Sequence, residues 1–296
     1  MRSLVTRPGA TPLLIDVEPA PVGPAGLRIE VAAAAVNASD VFLATDLGRA
    51  TFGVPERAGL GMDVSGTVTE VGQEVTGFAV GDRVAAMHHD FTAPSRTHAE
   101  SVVVPAAHAA PVPDGLDLIA AGSIPLNALT ARQGLDLLGP ADGRSLLITG
   151  AAGGVGGYAT EMAAREGWRV SGLARSGDAD VVRDAGAVEL LTTIQAGRFD
   201  ALFDAAALQG DAIGAVRDGG AFVGVQPPTP VAPERGIEPV DVFIQPDAER
   251  LAELLALHLD GTLTARVAGQ VALAEAETAY AKVAGGGQRG RWLIVP

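Results

Sequence analysis

The sequence predicts an α/β protein of two domains, one built on a doubly wound parallel sheet and the other a partly closed β-structure. Three observations carry this expectation. The 296 residues exceed what one compact core usually holds. From Leu27 to about Val112 the chain reads as short β-like runs broken by Gly and Pro: LRIEVAAAAVN, DVSGTVTEVG, GDRVAA and ESVVVP. From about Leu118 to Gln245 apolar strands alternate with helical stretches, the pattern of βαβ units with helices on both faces of a parallel sheet.

Composition narrows the chemistry. The chain has no cysteine, which removes disulfides, thiolate zinc sites, iron–sulfur clusters and cysteine nucleophiles. A formal charge of −14 with no Lys/Arg run repels phosphate backbones and anionic lipid, so neither nucleic acid nor a membrane surface is an expected partner. No apolar run approaches a membrane span, and MRSLVTRPGATPLLID lacks a continuous apolar leader, so a cytoplasmic location is expected.

The run SLLITGAAGGVGGYATEMAAREG, 145–167, sets an apolar, partly β-branched strand before a glycine-rich turn and a helix. Val155, Tyr158, Ala159 and Met162 make the apolar stripe of that helix, and Gly167 ends it. At such a turn bare backbone can approach a diphosphate, with free N–H groups and the positive end of the helix dipole facing it. Ala151 stands at the first glycine position of G-x-G-x-x-G, followed by Gly153 and Gly156; tight helix–strand packing is the alternative use of these glycines. The amides of Ala152, Gly153, Gly154 and Val155 are the candidate diphosphate ligands.

The next strand, RVSGLA, ends at Arg175 and Ser176, where an NAD site carries a carboxylate. A guanidinium can bind a 2′-phosphate bidentately and a hydroxyl can donate to it, so NADPH is the expected cofactor. The alternative for Arg175 is a solvated surface cation. After AFVGVQ comes a proline-rich loop, PPTPVAPERGIEP (227–239). The helix PDAERLAELLALHLDG follows, with Pro246 near its start and Gly261 at its end, then AEAETAYAKVAGG and a closing strand, RWLIVP.

Gly61-x-Asp63-x-x-Gly66-x-Val68-x-x-Val71-Gly72, continuing to Val75, Phe78 and Gly81-Asp82-Arg83-Val84, resembles the GroES-like β-domain of the medium-chain dehydrogenase/reductases. IPLNALTA (124–131), AAGGVG (151–156) and RGRWLIVP also fit, in particular the zinc-free quinone oxidoreductase branch. The resemblance covers nearly the whole chain. It implies a GroES-like domain over 1–118, a Rossmann domain over 119–245 and a return to the first domain over 246–296.

Zinc members of the family carry Cys, His and Cys where this chain has Asn37, Met62 and a position near Leu126, so no metal is expected. The five histidines show no ligand spacing and read mostly as surface or loop residues. The resemblance places Asn37 of V-N-x-x-D beside the nicotinamide, orienting a substrate carbonyl or a water, with Asp40 behind it. NASD also reads as a helix N-cap through Asn37 or Ser39.

Thr130 matches a threonine near the cofactor phosphates, or else bonds within its own helix. Val225, Phe243 and Ile244 match the lining of the nicotinamide pocket, or simple core packing. Where related reductases place a tyrosine, this chain has Phe42. Tyr158 reads as packed and Tyr280 lies in the tail, so a tyrosine proton donor is not expected.

The implied function is NADPH-dependent, zinc-independent hydride transfer to a quinone or other α,β-unsaturated carbonyl. The alternatives are an enoyl reductase for a polyketide-like intermediate and a catalytically silent NADPH-binding protein. A homodimer is implied, its sheets joined through the AFVGVQ strand.

Overall fold

A computed structural model describes residues 1–9, 11–225 and 230–296. Gln226 to Thr229, at the start of the proline-rich loop, lie outside the described residues. Residues 1–126 with 245–296 form one unit and 127–244 another.

The first unit opens with a hairpin, β1 (Arg2–Val5) and β2 (Leu13–Asp16), then β3 (Gly26–Val36), α1 (Ala38–Leu43) and α2 (Asp46–Phe52). It continues through β4 (Asp63–Val71), β5 (Arg83–Met87), β6 (Ser101–Pro105), β7 (Ala109–Pro111) and α3 (Leu118–Ala121), and α4 (Pro125–Leu138) leads onward. The unit reaches Leu126, past the expected boundary at 118, because α3 packs on β3 and β4.

The second unit comprises β8 (Ser145–Thr149), α5 (Gly154–Arg165), β9 (Arg169–Leu173), α6 (Ala179–Asp184), β10 (Glu189–Leu191), β11 (Phe199–Asp204), α7 (Gly210–Ile213), β12 (Val216–Gly224) and β13 (Val240–Asp241). The chain then returns to the first unit with α8 (Ala248–Leu259), β14 (Val267–Ala272), α9 (Ala276–Ala284) and β15 (Arg291–Val295).

In the first unit a sheet runs β14-β15-β3-β4-β5-β7, with β6 also paired to β3. Long β3 serves two partners on one edge, taking β15 through Ala34–Val36 and β6 through Gly26–Glu30. Inward residues Leu27, Ile29, Val64, Val68, Val84 and Val102 fill the space enclosed. Each such side chain, fully buried, contributes ~1.5–3 kcal/mol. Val75 and Phe78 of the glycine-punctuated motif pack against this cluster. Gly61 is obligatory on two counts: its φ is +97°, and a Cβ there would lie 2.2 Å from Thr97 Oγ1.

The second unit is a six-stranded sheet in the order β10-β9-β8-β11-β12-β13, all pairs parallel. Numbered within the unit, the order is 3-2-1-4-5-6, that of dinucleotide-binding folds, with the topological switch point between β8 and β11. Leu147, Phe199, Leu202, Val216 and Phe222 form its core with Ile213. The residues AFVG, 221–224, end a longer β12, and β13 pairs with it at Val223 and Gly224. The outer edge there belongs to β13 rather than to AFVGVQ.

Candidate functional site

At the switch point β8 ends on Thr149, and Gly150 turns the chain with φ +61°. Gly153 is the N-cap of α5 and supplies no side-chain cap. The first intrahelical bond is Gly157 N–H to the Gly153 carbonyl, at 3.0 Å. By helix geometry the N–H groups of Gly154, Val155 and Gly156 therefore point out of the helix start. Gly156 must be glycine for a separate reason: a Cβ would lie 2.3 Å from the Gly150 oxygen. The two readings of the glycines divide between residues, Gly156 serving helix–strand packing and Gly153 leaving the helix head bare.

The carboxyl ends of β8 and β11 are tied together by a buried pair that the sequence reading did not single out. Thr149 Oγ1 donates to Asp204 Oδ1 at 2.6 Å and accepts from Ala206 N–H at 2.9 Å. The other Asp204 oxygen accepts from Gln209 N–H at 2.7 Å. The loop after β11 is thereby fixed beside the glycine turn. Val225 N–H donates to the Asp204 carbonyl at 3.3 Å, placing Val225 at this same end of the sheet. Phe243, 70% exposed, and half-buried Ile244 follow β13. Thr130 is buried on α4.

A pocket of about 610 Å³ lies at this end of the sheet, lined by Gly150, Leu173, Arg175, Ser176, Thr192 and Ala206 among others. Arg175 and Ser176 thus meet the glycine turn in space. The Arg175 side chain is 63% exposed, and its Nε donates to Asp178 Oδ2 at 3.1 Å. Asp178 is buried, so the Arg175 guanidinium is held at Nε by a fixed carboxylate. Bare amides at a helix head, a switch-point pocket and a tethered guanidinium suit an anionic dinucleotide.

The first unit holds a separate polar centre. Asn37 caps α1, and its N–H donates to Asp40 Oδ2 at 2.9 Å. Asn37 thus stands at the N-cap position of α1, with the Asp40 carboxylate bonding back to its N–H. The Asn37 side chain is engaged at both ends: Nδ2 donates to Asp63 Oδ2 at 2.8 Å, and Oδ1 accepts from Arg291 Nε at 2.9 Å. The other Asp63 oxygen accepts from Leu126 N–H at 2.5 Å.

Asp63 is fully buried, and desolvation pushes its pKa up to about 7; the Asn37 and Leu126 bonds and the Arg291 charge oppose the rise, while Asp40 adds to it. Register brings Arg291 here: Trp292 pairs with Val36 across β15 and β3, so the residue before Trp292 faces the residue after Val36. Neither Asp63 nor Arg291 was singled out for a role from sequence. Asp63 sits inside a legible motif, but Arg291 is 254 positions from Asn37 and gives no local signal.

Next to this centre lies a buried aromatic pair. Tyr280 is hydrogen-bonded to His98 Nδ1 at 3.0 Å, and His98 Nε2 faces the Ala35 carbonyl at 2.9 Å. A carbonyl only accepts, so Nε2 carries the proton and Tyr280 donates to Nδ1. Burial lowers the pKa of His98 and raises that of Tyr280 well above its ordinary value. Three histidines, His88, His98 and His258, are buried rather than at the surface as expected. Satisfied ring nitrogens offset the cost: His88 Nδ1 accepts from Asp90 N–H, and His258 Nδ1 is bonded to the Leu254 carbonyl. Tyr158 is fully buried, as expected.

Residues 23–114 match the family model for the alcohol dehydrogenase GroES-like domain, and 177–294 that for zinc-binding dehydrogenases. The chain belongs to the medium-chain dehydrogenase/reductase superfamily of oxidoreductases. It is 32% identical over 269 residues to the spectinabilin polyketide synthase system protein NorB of Streptomyces orinoci, covering 82% of this chain and 12% of that protein. It is 35% identical over 181 residues to a quinone oxidoreductase of Pseudomonas aeruginosa, covering 60% of this chain and 53% of that protein. The chain thus matches a small fraction of the former and about half of the latter. The structure of the quinone oxidoreductase from Coxiella burnetii superposes with a TM-score of 0.92 at 24% identity, covering 100% of this chain and 99% of that one.

Zinc, which the second family model's name implies, does not fit the residues present. Asn37 and Met62 stand at ligand positions, and the Arg291 guanidinium is bonded to the amide where a cation would bind. Among the described residues no group of three His, Asp or Glu side chains is placed to hold a metal ion.

Proposed function

We propose that this protein is an NADPH-dependent, zinc-independent reductase of quinones and other α,β-unsaturated carbonyls. The observation that carries the reading is Arg175, tethered by Asp178 at the end of β9 beside the glycine turn. A guanidinium there favours a 2′-phosphate, where a carboxylate would repel it. NADPH when bound supplies a hydride. The head of α5, from Ala152 to Val155, holds the diphosphate through amides other than that of Gly153, whose N–H is bonded to the Gly150 carbonyl at 2.8 Å. Ser176 donates to the 2′-phosphate, Thr130 supports the phosphates, and Val225, Phe243 and Ile244 line the nicotinamide.

Asn37, supported by Asp40 and Asp63, orients the acceptor carbonyl, whose oxygen gains negative charge as the hydride arrives. Tyr280 donates to His98, which leaves solvent as the proton source. Calorimetry with NADPH and NADH, followed by a panel of matched quinones and enones read by NADPH consumption, tests the reading. It expects tighter NADPH binding and turnover with conjugated acceptors but not with plain alcohols. Absence of heat with both cofactors would refute it.

A second reading is enoyl reduction on a polyketide-like intermediate, favoured by the likeness to the polyketide synthase protein NorB. Turnover of an enoyl thioester in preference to quinones would select it. NADPH binding, read from Trp168 or Trp292 quenching, without consumption by any acceptor would mark a silent binding protein. We further propose a homodimer, with exposed Val240 of edge strand β13 in its interface.

A further inference from the structure

We propose that Arg291 is a positioning residue of this reductase: through the chain Arg291–Asn37–Asp63 it fixes and polarises the buried Asn37 amide. The proposal rests on the reading above that Asn37 orients the acceptor carbonyl. Its geometry is independent of that reading. An asparagine amide can turn over and exchange its oxygen and nitrogen, so a donor on one side and an acceptor on the other are needed to hold one orientation. Here a cation, which can only donate, binds Oδ1 at 2.9 Å, and a carboxylate binds Nδ2 at 2.8 Å. The reversed amide would set Nδ2 against a guanidinium and Oδ1 against a carboxylate oxygen.

The Arg291 charge also polarises the amide. Arg291 on the oxygen draws electron density from the nitrogen, which strengthens the Nδ2 hydrogens as donors. That is what a carbonyl oxygen gaining negative charge requires. Asp63 extends the chain to a second element. Pro125 opens α4 without an N–H, so the Leu126 amide bound by Asp63 is the first donor of the helix that carries Thr130 one turn on. In this chain hydrogen bonds between β15, α1, β4 and α4 fix the geometry at positions where the zinc members of the family carry metal ligands.

The test compares wild type with Arg291→Met and Arg291→Lys. Arg291→Met is expected to lower kcat with an enone about 10- to 100-fold, the range for losing a hydrogen bond to a charged group. KM for the acceptor and Kd for NADPH should stay within about two-fold. Arg291→Lys, which keeps a charged donor, should recover most of the loss. Equal losses in kcat, NADPH affinity and melting temperature, or no loss at all, would overturn the positioning role.

A second measurement does not depend on turnover. Solvent exchange of the Asn37 Nδ2 protons, followed by nitrogen-edited NMR, should accelerate in Arg291→Met because the amide is released to rotate. Unchanged exchange would overturn the proposal. A wild type that binds NADPH but reduces no acceptor would instead sink the reductase reading, and the exchange measurement would still decide whether Arg291 holds the amide.

Discussion

Asp63 shows how much a single buried group can hold. Its folded pKa is raised from 3.8 to about 7, so between those values the native state holds a proton that the unfolded chain has released. The associated stabilisation is complete below the unfolded value and is lost as pH rises through about 7. Asp63→Asn cannot ionise and lacks this dependence. The melting-temperature difference, wild type minus variant, should therefore fall as pH is raised from about 5 to about 8; a flat or rising difference would refute the assignment. Arg175 makes a residue-scale prediction about specificity. Arg175→Ala should weaken NADPH binding about 10- to 100-fold while leaving NADH nearly unchanged, as the loss of a charge-assisted contact requires. Calorimetric Kd values for both cofactors in both proteins check this. Asp178 had no sequence signal, because its tie to Arg175 depends on the turn after β9 closing.

The element that matters most is the strand–turn–helix β8-Gly150-α5. It was legible because strand, glycines and helix stripe are contiguous and each has a local signature. Its internal division was not: which glycine packs and which exposes amides depends on how closely α5 approaches the turn. Gly156→Ala would put a methyl group 2.3 Å from the Gly150 oxygen, and that atom is backbone that cannot rotate away. The variant should lose ~1–3 kcal/mol of stability in denaturant unfolding and bind NADPH more weakly, because the helix head must shift. A variant with wild-type stability would show that the turn is looser than described. The Thr149–Asp204 pair lies at the same switch point but leaves no local sequence signal, since its two strands are neighbours only in the folded sheet.

At the scale of the whole molecule, the charge of −14 and the open edge at β13 bear on association. Light scattering after gel filtration should report twice the chain mass. Val240→Asp, which sets a carboxylate in each copy at the proposed two-fold interface, should shift the mass to that of one chain; unchanged mass in the variant would place the interface elsewhere. No helix among the described residues is long and apolar enough to cross a membrane.

What the sequence determined by itself is what short-range physics encodes: the alternation of strand and helix, the glycine turn, the cation ending the second Rossmann strand, the absence of thiolate ligands and the β-domain motif from Gly61 to Val84. Tertiary structure alone decided the contacts that need long-range register. β15 against β3 brings Arg291 to Asn37, the switch point joins Thr149 to Asp204, and burial turns Asp63 into a group that titrates near neutrality. The physical reason is separation: a hydrogen bond between side chains far apart in sequence leaves no periodicity or spacing in either segment, and desolvation belongs to the packed environment rather than to the residue.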